Sequence, residues 1–129
     1  MPESPLKINT IQKALEATVI EGANRLEETV DHIYASDLMS DVLAFAKPGS
    51  LLLTGLTNPQ VIRTSDVLDI AAIILVRGKR PLSETIQLAE ELRIPLLTTK
   101  FILFEAVGRL YAKGIRGCIE KVGETRDLS

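Results

Sequence analysis

Hydroxyl, amide and cationic side chains gather in four short segments of this sequence, each directly behind an apolar run: Ser36-Asp37, Gly55-Leu56-Thr57-Asn58, Arg77-Gly78-Lys79-Arg80 and Thr98-Thr99-Lys100. Where the apolar run is a strand and a helix follows, such a segment sits at the carboxyl end of the strand, beside the free backbone N–H groups of the helix start. Hydroxyls, amides and cations collected there suit an anionic group such as phosphate. Ser36, Gly55, Thr57, Asn58, Arg77, Gly78, Lys79, Thr98, Thr99 and Lys100 are therefore the candidate ligand-binding residues. The positive helix ends after Gly55 and Thr98 would supply N–H donors, and Arg77, Lys79 and Lys100 the charge, provided that these turns share one edge of a sheet. The plainer alternative is that Ser, Thr and Asn cap helices and that the cations of residues 77–80 make a solvated turn.

Other chemistry finds less support. A G-x-G-x-x-G or Walker loop is absent: Gly78 is isolated and Lys79 is not followed by Ser or Thr, which excludes nucleotide chemistry of the P-loop type. The single His32 and single Cys118 are far apart in sequence, so a thiolate–imidazole zinc site would need several carboxylates to complete it. His32 lies in an alternating segment and reads as a strand residue, exposed or partly covered, and Cys118 reads as a small core residue of an apolar tail strand. Asp37 and Asp41, four apart on one helix face, either turn two carboxylates toward a divalent cation or act as a first-turn residue favoured by the helix dipole and a solvated neighbour. No base, nucleophile and oxyanion site come together, so the expectation is a non-enzymatic protein with no catalytic residue, metal or cofactor.

The elements that would position these turns follow from periodicity. Ile8, Ile11, Ala14 and Leu15 form a first helix, capped by Asn9 or Thr10 and ending near Glu16. Residues 18–20 read as a strand, residues 30–34 as a second, and Leu38, Met39, Val42 and Phe45 as a helix stopped by Lys47-Pro48-Gly49. Residues 51–54 are a wholly apolar strand, covered on both faces, leading into a helix with Asn58 as cap and Pro59 at its first position. Residues 71–76 repeat the pattern, followed by a helix capped by Ser83 with Ile86, Ala89 and Leu92 as its apolar stripe. Leu96 and Leu97 make the next strand, and Leu103, Ala106, Val107 and Leu110 a helix closed by Lys113 and Gly114, with a further strand expected through Cys118-Ile119. Alternating strands and helices with continuous apolar strands predict an α/β fold: a single three-layer sandwich with a mostly parallel sheet flanked by helices. The domain spans residues 1–122, with residues 123–129 as a flexible tail.

Composition bounds the rest. With 129 residues there is room for one domain, and its 46% hydrophobic residues with only 4% aromatic make an aliphatic core and exclude disorder. A net charge of −2 offers no general field for a nucleic-acid backbone. No apolar run approaches the roughly 20 residues of a membrane span, and the first ten residues lack a signal-peptide layout, which implies a cytoplasmic protein.

Ser36-Asp-Leu-Met-Ser-Asp-Val-Leu-Ala-Phe45, Leu51-Leu-Leu-Thr-Gly-Leu-Thr-Asn-Pro-Gln-Val-Ile-Arg63 and Ala72-Ile-Ile-Leu-Val-Arg-Gly-Lys-Arg-Pro81 resemble the DRTGG domain family, over about residues 7–122. The resemblance is to the short stand-alone members often encoded beside iron-hydrogenase and sensor-kinase genes in anaerobic bacteria. Related regions occur in the amino-terminal half of HPr kinase/phosphorylase, in some phosphotransacetylases, and in CBS-regulated inorganic pyrophosphatases, where diadenosine polyphosphates are ligands of the regulatory region. The family's Asp-Arg pair falls here on Thr57 and Asn58, and its Thr-Gly-Gly on Val76, Arg77 and Gly78, so that only Gly78 matches. Asn58 can still cap a helix, Arg77 restores a positive charge nearby, and Thr98-Thr99 keeps the hydroxyl pattern at the end of the next strand.

The resemblance implies a regulatory or sensing module that binds a small anionic ligand, an adenine nucleotide for example, or a partner protein. The alternative is a ligand-free accessory subunit, for instance for hydrogenase or sensor-kinase components. A small aliphatic domain with more apolar content than a thin α/β layer hides, together with the family's habit of pairing, predicts a homodimer. Its contact is expected on the helix of residues 83–92 or that of residues 101–111.

Overall fold

The structure, a computed structural model, describes residues 5–123. Its elements in chain order are β1 (Leu6–Lys7), α1 (Ile8–Ala14), β2 (Thr18–Glu21), a 3-10 turn (Ala23–Arg25), β3 (Thr29–Val30), β4 (Ile33–Ala35), α2 (Met39–Phe45), β5 (Leu51–Thr54), α3 (Pro59–Val67), β6 (Ala72–Leu75), α4 (Ser83–Leu92), β7 (Leu96–Thr98) and α5 (Leu103–Ala112). The main sheet has the order β2-β7-β6-β5-β4. The four strands from β4 to β7 are parallel, in registers that set Leu51 beside Ile33 and Ala72, and Ile73 beside Leu96. Only β2 runs antiparallel, pairing Thr18 with Thr98 and Val19 with Leu97 before a register shift.

Strict alternation along the strands divides the core in two. Leu51, Leu53, Ala72, Ile74 and Leu97 pack under Ile8, Ile11 and Leu15 of the α1 region and Ala106 and Leu110 of α5. Leu52, Ile73, Leu75 and Leu96 point the other way, against Val42, Val61, Ile62 and Ala89 of α2, α3 and α4. Both faces of β5 and β6 are covered, so every residue of these strands is buried. The result is the expected three-layer α/β sandwich, with α1 and α5 on one side and α2, α3 and α4 on the other. Among the described residues, no helix is long and apolar enough to cross a membrane.

Several local expectations are corrected. The first helix starts at Ile8 with Lys7 as its N-cap and no side-chain cap bond, so Asn9 and Thr10 lie inside it. Its free donors are met by main chain instead, as Ile8 N–H donates to Glu28 O and Asn9 N–H to Leu26 O. Residues 30–34 are not one strand: β3 pairs with β1 in a separate two-stranded ribbon, whereas β4 joins the main sheet, and the chain turns at Asp31 and His32 between them. His32 is thus a connecting residue, its carbonyl accepting from Leu51 N–H. Ser83 is the first residue of α4 and not its cap. Leu82 occupies the cap position, held by its N–H to Thr57 O, and Thr85 Oγ1 donates to the same carbonyl at 2.6 Å. The buried stripe of α4 is Thr85 and Ala89, while Leu92 reaches the surface as the helix ends at left-handed Arg93. Residues 116–119 form no strand but a single bridge between Gly117 and Ile33, which is enough to bury Cys118 beside Ser50 at 3.0 Å. The expected tail lies, apart from Gly123, outside the described residues.

Candidate functional site

Parallel pairing brings the carboxyl ends of β4, β5, β6 and β7, and with them all four hydroxyl- and cation-bearing turns, to one edge of the sheet. Their side chains then divide into two groups.

The first group is closed on itself. Asp37 precedes α2 rather than lying on it, so it does not share a helix face with Asp41. Its Oδ1 accepts from Gly55 N–H at 2.7 Å and from Thr54 Oγ1 at 2.9 Å, and its Oδ2 stands 3.8 Å from Arg77 Nη1. A Cβ at position 55 would fall 2.5 Å from Arg77 Nη2, so glycine is what allows the guanidinium to lie over this turn. Leu56 N–H donates to Thr54 Oγ1, Gln60 N–H to Asn58 Oδ1, and Leu38 N–H to Ser36 Oγ. The donors expected to receive an anion after Gly55 are therefore occupied by the chain's own acceptors, with Asp37 in the place of the anion. Thr57 serves through its carbonyl, as the anchor of α4.

The second group lines a cavity of about 510 Å³ between β2, the turn after β6 and the turn after β7. Leu15, Ile20, Ile86 and Phe101 give it apolar walls, Thr18 and Thr98 bring hydroxyls, and Lys79, Arg80 and Lys100 bring three cations against the single carboxylate of Glu16. Among the described residues none of these cations has an ion-pair partner. The two turns are laced together by main chain: Arg77 N–H donates to Phe101 O and Gly78 N–H to Thr99 O. Both residues adopt left-handed φ values near 65°, a conformation natural to Gly78 and unusual for Arg77. Lys100 packs its stem 3.9 Å from the position of a Cβ on Gly78. Thr99 is structural in part, since its buried hydroxyl donates to Leu15 O at 2.6 Å and accepts from Phe101 N–H at 3.3 Å.

Of the sequence-predicted residues, Gly78, Lys79, Thr98, Thr99 and Lys100 line this cavity, whereas Ser36, Gly55, Thr57, Asn58 and Arg77 stand along the same edge without lining it. The lining stops at Phe101, before α5, so the α5 helix start contributes no N–H to the cavity. Glu16, Thr18, Ile20, Arg80 and Ile86 were not among the sequence candidates. Arg80 could have been found from its place in the cationic run. The β2 side could not, because its closeness to residues 98–101 depends on strand order. Among the described residues no cluster of three or more His, Cys, Asp or Glu is arranged for a metal ion.

A family model described as the DRTGG domain matches residues 10–112. None of the curated proteins matches significantly. Among solved structures, the chain is similar to the CBS and DRTGG domains of the regulatory region of Clostridium perfringens pyrophosphatase, crystallised with the activator diadenosine tetraphosphate. The TM-score is 0.69 at 20% identity, over 84% of this chain and 47% of that one. The likeness is one of fold, and this chain spans about half the length of the pyrophosphatase fragment.

Proposed function

Because this chain belongs to the DRTGG domain family, we propose that it is a regulatory module, not an enzyme, which binds a small anionic ligand at the carboxyl edge of its sheet. The observation that carries this reading is the cavity of about 510 Å³ whose three cations lack carboxylate partners among the described residues and stand over apolar walls. Several cations converging on a partly dry cleft hold phosphate, where one exposed cation contributes little. The cavity is also larger than a bare phosphate needs and falls in the range of sites for small organic ligands. The similar pyrophosphatase region is bound to diadenosine tetraphosphate, an adenine nucleotide, which makes that class the first to test. The module pairs with a second copy of itself. A ligand-free interaction subunit is the second reading, favoured by the exposed apolar face of α5, where Phe104 is 85% exposed.

Thermal unfolding in the presence of phosphate, adenosine mono-, di- and triphosphate and diadenosine tetraphosphate separates the two. A ligand at 100 times its Kd stabilises by about 2.7 kcal/mol, and no shift with any of them favours the second reading. In calorimetry, replacing Lys79 and Lys100 together with Ala weakens binding at least tenfold, about 1.4 kcal/mol, with folding stability within roughly 0.5 kcal/mol of wild type. Arg77→Ala, which touches the Asp37 cluster, leaves affinity unchanged. Equal affinity for wild type and the double variant would move the ligand elsewhere.

A further inference from the structure

The polar groups of the cavity are sorted by side. Lys79, Arg80 and Lys100 come from the turns after β6 and β7, whereas Glu16, Thr18 and Thr98 come from the seam where β2 pairs with β7. Thr18 and Thr98 are register partners on antiparallel strands, so their side chains stand on the same face of the sheet, about 5 Å apart at Cβ. Neither hydroxyl bonds to any described residue. Glu16 shares the cavity with three cations and, among the described residues, pairs with none of them. Its position is unusual as well. Glu16 N–H donates to Lys13 O and Ala17 N–H to Gln12 O, the pair of bonds that ends a helix through a left-handed residue. Glycine is the usual occupant of that position, and Glu16 takes the conformation at a φ of 50°. A glutamate is thus held in a strained conformation at the wall of a cation-lined cavity, with no described group using its carboxylate.

We propose that the anionic ligand is a phosphorylated ribose, its phosphate on Lys79, Arg80 and Lys100 and its vicinal hydroxyls donating to Glu16 beside Thr18 and Thr98. The proposal rests on the anion site described above and names what the anion carries. Its carrying argument is the unpaired carboxylate. A bare phosphate would be repelled by Glu16, whereas a sugar hydroxyl donates to a carboxylate, and an acidic side chain on ribose hydroxyls is a recurrent way of holding a nucleotide sugar. A ligand ammonium would also suit Glu16, but three cations in the same cavity oppose it, and a neutral hydroxyl meets no such repulsion. The spacing fits too: Thr98 and Lys100 are two residues apart, at most about 7 Å of extended chain, a separation that a pentose phosphate bridges. Ile86 and Phe101 offer an apolar surface to a base, so the ribose is either that of a nucleotide or that of a free sugar phosphate.

Calorimetry of the full chain with ribose 5-phosphate, 2-deoxyribose 5-phosphate, adenosine diphosphate, 2′-deoxyadenosine diphosphate and inorganic phosphate tests this. Each ribose compound should bind at least tenfold more tightly than its deoxy counterpart. Glu16→Gly, which suits the left-handed backbone and so keeps the fold, should reduce that preference to less than twofold while binding inorganic phosphate no more weakly than wild type. Tighter binding of adenosine diphosphate than of ribose 5-phosphate assigns the ribose to a nucleotide, and equal or weaker binding assigns it to a free sugar phosphate. Equal affinity for ribose and deoxyribose compounds, or a preference that survives Glu16→Gly, overturns the sugar assignment. The anion site itself then still stands if Lys79→Ala with Lys100→Ala weakens binding of the same compounds tenfold. Binding of none of the five overturns both.

Discussion

Asp37 has a role that its place in the sequence conceals. Read by spacing, it is one helical turn from Asp41 and belongs to a helix start or a cation site. In the fold it lies before the helix and gives its carboxylate to Gly55 N–H and to the fully buried Thr54 hydroxyl. Nothing local encodes this, because the partners are 17 and 18 residues away and arrive only when β4 and β5 pair in parallel. Asp37→Ala leaves both donors without their acceptor and should destabilise by about 1–2 kcal/mol. Asp37→Asn keeps an acceptor oxygen and should lose roughly half as much. Denaturant unfolding of the two variants checks this, and equal midpoints for Ala and wild type would show water to be an adequate replacement. Thr98, Lys79 and Lys100 were easier to read, because a hydroxyl or cation directly behind an apolar strand needs no distant partner to reach the sheet edge.

At the scale of elements, strands buried on both faces announced themselves: residues 51–54 and 72–75 are uninterrupted apolar runs with no solvent side to encode. The helix starts misread were those in which main chain replaced side chains as partner. α1 and α4 both start without a side-chain cap, satisfied by carbonyls of residues 26–28 and by Leu82 and Thr57, so the nearby Asn9, Thr10 and Ser83 gave a false signal. Asn58 gave a true one, accepting from Gln60 N–H at 3.0 Å with Pro59 behind it. The contrast is measurable: Asn58→Ala should lower stability by about 1 kcal/mol, while Ser83→Ala, which removes no cap, should stay within roughly 0.5 kcal/mol of wild type. Equal effects at the two positions would contradict the capping assignment.

For the whole molecule, the sandwich was legible and the sheet order was not, since β2 inserts itself beside β7 from the other end of the chain. Exposed ion pairs flank the ribbon of β1 and β3. Lys7 bonds Glu27 at 2.9 Å and Arg25 bonds Glu28 at 2.8 Å. The hydrogen bond from Lys7 holds the Glu27 carboxyl below its usual value, and that from Arg25 does the same for Glu28 against the opposing pull of slight burial. A carboxyl with a lowered folded pKa adds stability that is complete above the ordinary carboxylate range and is lost as the pH falls through it to the folded value. Because these pairs are exposed, the acid-side loss of Tm should be shallow and reduced by salt. Lys7→Gln with Arg25→Gln should flatten it further, and a slope identical to wild type would assign the acid sensitivity to other carboxylates.

The antiparallel edge strand has a consequence for how the molecule comes to exist. β4 to β7 follow one another in sequence and pair across single crossovers, so each closes a modest loop. β2 must wait for β7, because Val19 pairs with Leu97 across more than half of the chain. Contacts of such separation carry the largest loop-closure entropy and form late. The wall of the cavity that contains Leu15, Glu16, Thr18 and Ile20 is thus the last to be hung. A ligand seated against it recognises only the finished chain, so it acts as a brake on unfolding and has no hold on the half-made molecule.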